Sequence, residues 1–339
     1  LENTDFQKIK EVLKTPSKIL ITAHTNPDGD AIGAALSLFG YLSKKDHSVQ
    51  VMIPDPDPEF LHWMPFHDQL LIYTKDQQRC VDTINEADII FSVDYNGFKR
   101  LGTAADDVRK SKALKIMIDH HRYPDNDFDF MISIISTSST SELIYNFIEA
   151  SGDAGLIDKE IAECIYAGII TDTGSFSYSC NYEKTYLTTA ALYRAGIDGE
   201  HIHRMVYDTY SENRLRLLGY SISEKLVVLP DFHTAYIFLS KADLERFKYQ
   251  IGDTEDIVNY ALSIKDINLA ALFCEREDVI KVSLRSKGHF AVNEICRTYF
   301  NGGGHINAAG ANCYLSFEET MKTFLDILPL YKEQLENVY

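Results

Sequence analysis

The chain has 339 residues, 45% of them hydrophobic, and a formal net charge of −17. That length suits two domains, each able to bury its own core. The acidic balance argues against a broad nucleic-acid surface, which rests on clustered Lys and Arg. No run of 18 or more apolar residues occurs, and residues 1–13 carry charges throughout, so neither a membrane span nor a secretory signal is expected and the cytoplasm is the expected compartment. Cys80, Cys164, Cys180, Cys274, Cys296 and Cys313 are scattered without a CxxC pair, and read as buried apolar filler rather than zinc ligands or disulfides.

In chain order, a helix up to Leu13 precedes the apolar strand Ile19 to Ala23, which runs into His24-Thr25-Asn26-Pro27-Asp28-Gly29-Asp30. The spacing then predicts a helix from Ala31 to Lys44 and a strand from Val49 to Ile53. The prolines of residues 54–58 mark a loop, and Phe60, Trp63 and Phe66 beside it read as packing rather than a base-stacking platform. Asp88 to Val93 and Ala113 to Ile118 are continuous apolar runs suited to a parallel sheet buried on both faces, and they end at Asp94 and at Asp119-His120-His121. Met131 to Ile135 is a further strand. The Ser/Thr run 136–141 leads into a helix from Glu142 to Ala150, and the helical pattern Ile157 to Ile170 is broken at Thr171-Asp172-Thr173-Gly174.

Helices are expected over Glu183 to Arg194 and His201 to Leu218. Beyond Lys225 the character changes to a hairpin (Leu226 to Leu229, Thr234 to Leu239) and a strand pair (Asn268 to Cys274, Val279 to Leu284). Phe290 to Phe300 reads as a helix, Asn301-Gly302-Gly303-Gly304-His305 as a flexible loop, and Phe317 to Val338 as a closing helix. The fold class is therefore α/β: a parallel-sheet domain with flanking helices (1–195), a helical linker (196–222) and a smaller mixed α/β C-terminal domain (223–339).

Strand ends in a parallel sheet share one edge, where ligands bind. Placing Asp28 beside Asp30 costs like-charge repulsion, which a cation of charge two relieves. The same loop is also what an ordinary βα turn looks like, one Asp capping the helix and Gly29 supplying the turn. An Asp after an apolar helix, such as Asp172, is equally a cap in isolation. Taken together, His24, Asp28, Asp30, Asp94, His120 and Asp172 supply two imidazoles and four carboxylates, a donor set for two divalent cations. Oxygen-rich sites favour Mg²⁺ or Mn²⁺, and imidazole tilts the choice toward Mn²⁺. Two such ions suit in-line attack of water at phosphorus. Near the C-terminus, consecutive glycines Gly302, Gly303 and Gly304 let backbone N–H groups approach a phosphate, with His305 as a further donor. Ser283, Arg285 and Ser286 end a neighbouring strand, and a guanidinium there can pair with phosphate bidentately.

Five ordered stretches, HTNPDGDAIG, VDYN, IDHH, ITDTGSF and NGGGHINAAG, resemble the motifs of the DHH phosphoesterases with the DHH-associated C-terminal domain. The likeness spans nearly the whole chain and is strongest to the stand-alone NrnA-type branch. It implies a metal-dependent hydrolase of very short RNA oligonucleotides (nanoRNA) and of 3′-phosphoadenosine 5′-phosphate (pAp), monomeric or homodimeric, that binds neither long duplexes nor membranes. It also implies His24 and Asp28 on one metal, Asp30, His120 and Asp172 on the other, and Asp94 bridging. Asp119 then orients His120, and His121 faces the substrate phosphate as a catalytic group. Arg285 and the glycine segment hold the substrate's terminal phosphate. The alternatives are a hydrolase of linear or cyclic dinucleotides, an inorganic or polyphosphate phosphatase, a RecJ-like exonuclease, and a non-catalytic nucleotide-binding protein. Relatives often carry a basic residue shortly after the Phe of the fourth motif, where this chain has Ser177 and Tyr178; the departure bears on substrate preference and not on the metals.

Overall fold

A computed structural model describes residues 4–338. These form two compact units, divided between Thr209 and Tyr210.

The first unit opens with helix α1 (Thr4–Val12), strand β1 (Lys18–Thr22), helix α2 (Gly29–Ser43) and strand β2 (Ser48–Ile53). It continues with β3 (Leu70–Ile72), α3 (Gln77–Glu86), β4 (Ile89–Val93), α4 (Ala105–Lys110), β5 (Leu114–Asp119) and β6 (Phe130–Ser133). Helices α5 (Thr140–Ala150), α6 (Lys159–Asp172), α7 (Glu183–Arg194) and α8 (Gly199–Tyr207) complete it. All six strands are parallel, in the order β3-β2-β1-β4-β5-β6. The chain winds outward from β1 in both directions, so β1 and β4 flank the point where strand order reverses. Their residues are mostly apolar because both faces are covered, with Thr22 and Ser92 as buried polar exceptions. One face meets a core that includes Ile19, Ile21, Phe91, Leu36, Ile144 and Ile165; the other meets Leu20, Met52, Ile90, Tyr95 and Phe98.

The sequence reading left residues 54–87 without regular structure, whereas β3 and α3 lie there. Three residues are too few for β3 to show a period, and α3 buries only Cys80 and Ile84. The expected helix from His201 to Leu218 is two helices, because the chain stops at Asp208 and restarts with Ser211 accepting from the Arg214 backbone N–H.

The second unit holds α9 (Glu212–Tyr220), β7 (Leu226–Leu229), β8 (Thr234–Leu239), α10 (Lys241–Arg246) and α11 (Ile257–Leu262). After these come β9 (Leu269–Glu275), β10 (Ile280–Ser286), α12 (Val292–Tyr299), β11 (Gly302–Gly304), β12 (Ala308–Cys313) and α13 (Phe317–Glu336). The strands form a mixed sheet in the order β11-β12-β10-β9-β8-β7, with only β8 and β9 parallel. The glycine segment expected to be a flexible loop is therefore the edge strand of a hairpin. Gly302, Gly303 and Gly304 pair with Ala311, Gly310 and Ala309, and the absence of bulk on both sides lets the backbones close. No helix among the described residues is long and apolar enough to cross a membrane.

Within this unit Asp243 is nearly buried and accepts from Lys225 Nζ at 2.7 Å, Tyr220 Oη at 2.7 Å and Ser240 Oγ at 2.7 Å. Burial favours its neutral form, but Lys225, Tyr220 and Ser240 outweigh it and hold the carboxyl down at about 2. A folded pKa below the unfolded one contributes stability that is present above about pH 4 and is lost as pH falls toward 2. The contribution is about 2 kcal/mol. Protection factors of the α10 and β8 amides against hydrogen exchange should therefore fall over that range in the full chain and fall less in Asp243→Asn; parallel profiles would remove the assignment.

Candidate metal centre

Four chain segments deliver six side chains to the carboxyl edge of the parallel sheet. His24 lies two residues past β1, Asp94 directly follows β4 and His120 directly follows β5. Asp28 is the N-cap of α2, Asp30 sits in its first turn, and Asp172 is the last residue of α6. The ligand atoms fall into two adjacent groups. His24, Asp28 and Asp94 offer atoms all within 4.8 Å of one another, as do Asp30, His120 and Asp172. Asp94 faces both groups: its Oδ2 is 3.3 Å from His24 Nε2 and its Oδ1 is 3.6 Å from His120 Nε2. His120 Nε2 lies 3.8 Å from Asp30 Oδ2 and 3.5 Å from Asp172 Oδ2.

The surroundings fix these groups in forms a cation can use. His24 Nδ1 donates to the Thr25 carbonyl at 2.8 Å, which turns the lone pair of Nε2 toward the carboxylates. That Nε2 is buried without a well-formed hydrogen bond. His120 is held neutral, its pKa pushed down to about 3 by burial and by the adjacent His121; neutral imidazole is the ligand form. Asp94 occupies the left-handed region with φ of 61°, a conformation that costs about 1–2 kcal/mol and is concentrated at functional sites. Burial opposes its charge, yet contact with His24 and the nearby rings of His121 and His120 hold its carboxyl well below the usual range.

Asp30 shows most directly that the donor set fits a cation. Burial first, then the Asp94 and Asp172 carboxylates, raise its proton affinity well above that of an ordinary Asp, a penalty that a bound divalent ion reverses. Asp172 adds a second mismatch, because a carboxylate at a helix C-terminus opposes the helix dipole unless a positive charge lies beside it.

The capping reading of the first loop is met, and it leaves Asp28 available to a cation. Asp28 Oδ1 accepts from the backbone N–H groups of Asp30 and Ala31, so the residue does cap α2, and the side chain remains half exposed.

Sequence reasoning missed the start of α5. The Thr140 and Ser141 backbone N–H groups donate to Asp30 at 2.6 and 2.8 Å, and Thr140 Oγ1 donates to Asp94 Oδ1 at 2.8 Å. Their signal is the Ser/Thr run 136–141, which by sequence alone indicates only a helix start. Gly168 on α6 is needed for the same approach: a Cβ there would fall 2.0 Å from Ser141 Oγ and 2.8 Å from Asp30 Oδ1. Arg100 is a second omission, a cation near enough to oppose the charge of His121.

One expected contact is corrected. Asp119 is fully buried, and its hydrogen bond runs to His121 Nδ1 at 2.7 Å rather than to His120. Burial disfavours the His121 cation, but the charge and hydrogen bond of Asp119, with Asp94 behind them, raise its pKa to about 9. The other motif residues are scaffolding. Tyr95 Oη donates to Ser92 Oγ at 2.6 Å, and Asn96 donates to the Arg122 carbonyl at 2.7 Å, which pins the segment after His121.

In the second unit the strand register sorts the expected substrate residues by face. Ser283 lies opposite Gly310, which lies opposite Gly303, and Arg285 lies opposite Ala308. A Cβ on Gly303 would meet nothing within 4 Å, whereas one on Gly302 would fall 2.2 Å from the Gly310 carbonyl oxygen. Packing thus explains Gly302 and leaves Gly303 facing open space. Gly304 has φ of +136°, and His305 turns the hairpin, its N–H donating to the Ala308 carbonyl. The Arg285 guanidinium donates to the Leu284 carbonyl at 3.0 Å and has no carboxylate partner among the described residues. Ser286 does not join this face. It shares the inner face of the strand with the buried Ile280, Val282 and Leu284, and its hydroxyl donates to the Phe290 carbonyl at 2.6 Å.

Comparison with known proteins agrees with this architecture. The DHH family N-terminal domain matches residues 18–169, and the DHHA1 domain matches residues 234–331. The bifunctional oligoribonuclease and PAP phosphatase NrnA of Bacillus subtilis is 30% identical over 95% of this chain and 98% of its own. A probable bifunctional oligoribonuclease and PAP phosphatase NrnA of Streptococcus mutans is 29% identical over 97% of this chain and 100% of its own. Among solved structures, an exopolyphosphatase-related protein from Bacteroides fragilis superposes with a TM-score of 0.93 at 42% identity, covering 98% of each chain. The chain belongs to the DHH family and is a divalent-metal-dependent phosphoesterase.

Proposed function

We propose that this phosphoesterase hydrolyses very short RNA oligonucleotides and pAp at a centre of two Mn²⁺ ions. The observation that carries the reading is Asp94, whose two carboxylate oxygens face separate ligand groups as a bridging residue requires. His24 and Asp28 complete one group; Asp30, His120 and Asp172 complete the other. Bound there, a pair of divalent ions neutralises charge developing on the phosphoryl oxygens and lowers the pKa of the attacking water. The protein's part is orientation. Thr25 turns the His24 ring, α5 anchors Asp30 and Asp94, and Asp119 directs His121 toward the phosphate. Ser283, Arg285, Gly303 and His305 hold a further phosphate of the substrate.

The substrate class rests on the NrnA relatives, named for oligoribonuclease and PAP phosphatase activity over nearly the full length of this chain. A polyphosphate substrate is the second reading, favoured by the name of the Bacteroides fragilis structure. One hydrolysis panel decides, run with Mn²⁺ and again with Mg²⁺ on pAp, linear and cyclic dinucleotides, polyphosphate and longer RNA. Turnover greatest on pAp and RNA dinucleotides is expected. Turnover confined to polyphosphate or to cyclic dinucleotides would replace the reading.

His121 provides a test of the shell itself. Held by Asp119 and placed outside the ligand set, it should be dispensable for metal: His121→Ala is expected to lose most turnover while elemental analysis finds the metal content of the unaltered protein. A variant that loses an ion puts His121 among the ligands.

A further inference from the structure

The loop after β2 gathers a second set of metal-binding side chains in a stretch the candidate centre does not use. Asp57, His62 and His67 present ligand atoms within 4.8 Å of one another. The backbone that carries them is anchored from below. Leu61 and Met64 are buried in the core beside α2, Trp63 packs against the same core, and the Phe66 ring lies 5.6 Å from that of Phe39.

Asp57 is flanked by Pro56 and Pro58, and its side chain is 2% exposed. The short helical turn that follows (Glu59–Leu61) begins at Pro58 without a side-chain cap, so the Asp57 carboxylate is not spent on backbone N–H groups. No Lys or Arg pairs with it among the described residues. Its oxygens face imidazoles instead, Oδ2 at 2.8 Å from His67 Nε2 and Oδ1 at 3.7 Å from His62 Nε2. The two rings are 4.5 Å apart. Ligand atoms about 2.0–2.1 Å from a tetrahedral ion are separated by about 3.3 Å, a value that the two observed distances straddle.

We propose that Asp57, His62 and His67 form a metal site separate from the candidate centre, taking one borderline divalent transition ion of which Zn²⁺ is the type. Two imidazoles and one carboxylate are too poor in oxygen for Mg²⁺ or Ca²⁺, and three protein ligands leave a fourth position for water. His62, about half exposed, gives the ion its way in. The ion cross-links Asp57 to His67 across the loop. The same loop carries Asp55, whose Oδ2 accepts from the Asn26 backbone N–H at 3.3 Å, so the cross-link stiffens the segment bracing the turn that carries His24 and Asp28.

The test uses the full chain, stripped with chelator, loaded with Zn²⁺, dialysed and assayed by elemental analysis. Because the candidate centre can also take zinc, each measurement is made with and without Asp94→Ala. His62→Ala should lose one equivalent of zinc in both backgrounds and show a smaller zinc-induced rise in Tm, with Tm in chelator unchanged. His62→Cys, which supplies a thiolate in place of imidazole, should regain the equivalent. Equal zinc content with and without His62→Ala overturns the proposal. So does a loss seen only when Asp94 is intact, since that ion would belong to the candidate centre.

Discussion

Asp94→Ala is expected to reduce hydrolysis of every substrate to background. The side chain is buried at the meeting point of two imidazoles, with Thr140 Oγ1 donating to it and His24 and His120 on opposite oxygens. Removing it leaves two neighbouring cations without their shared counter-charge, and their mutual repulsion in a buried setting is large. The loss should exceed the 10²–10³-fold that a single transition-state hydrogen-bond donor is worth. It should also exceed the loss in Asp119→Ala, because Asp119 is hydrogen-bonded to His121 and is not set between the two ligand groups as Asp94 is. Elemental analysis of the Asp94 variant should find fewer than two bound ions. Activity retained with both ions in place would take Asp94 out of the bridging role.

The parallel sheet and its functional edge were legible because the strands are covered on both faces. Such strands read as predominantly apolar runs, so the first acidic or imidazole residue after each stands out: His24, Asp94, and the Asp119-His120-His121 group. Elements held by few apolar contacts were not legible. β3 is only three residues long, and α3 buries two side chains. Interactions made by backbone were also hidden, since the N–H groups that Thr140 and Ser141 give to Asp30 exist in any sequence until the helix start is placed beside α2. The pairing of Asp119 with His121 rather than His120 depends on side-chain direction at a strand end, which adjacency in the chain does not encode. The glycine segment misled for a different reason. Glycine has low strand propensity, but opposite Ala309, Gly310 and Ala311 its lack of a side chain is what permits pairing. Ser286 was separable from Ser283 and Arg285 by strand alternation alone, once the strand was known to continue through it.

Arg285→Ala should separate substrate holding from cleavage. The guanidinium is part-buried on the face shared with Ser283, its hydrogen bond goes to a neighbouring carbonyl, and no carboxylate among the described residues neutralises it. A cation left without a counter-ion on a strand face beside the open position of Gly303 is suited to a phosphate. A charge-assisted hydrogen bond is worth about 1.5–3 kcal/mol, so kcat/KM for a short oligonucleotide should fall roughly ten- to a hundredfold. Hydrolysis of a small generic phosphodiester should barely change, because that substrate has no distal phosphate for Arg285 to hold while the residues around Asp94 are untouched. The Tm should also stay close to that of the unaltered chain, since the side chain fills no core position. Equal losses on both substrates with Tm preserved would place Arg285 at the scissile phosphate, and a fall in Tm would instead assign it to holding β10 in the sheet.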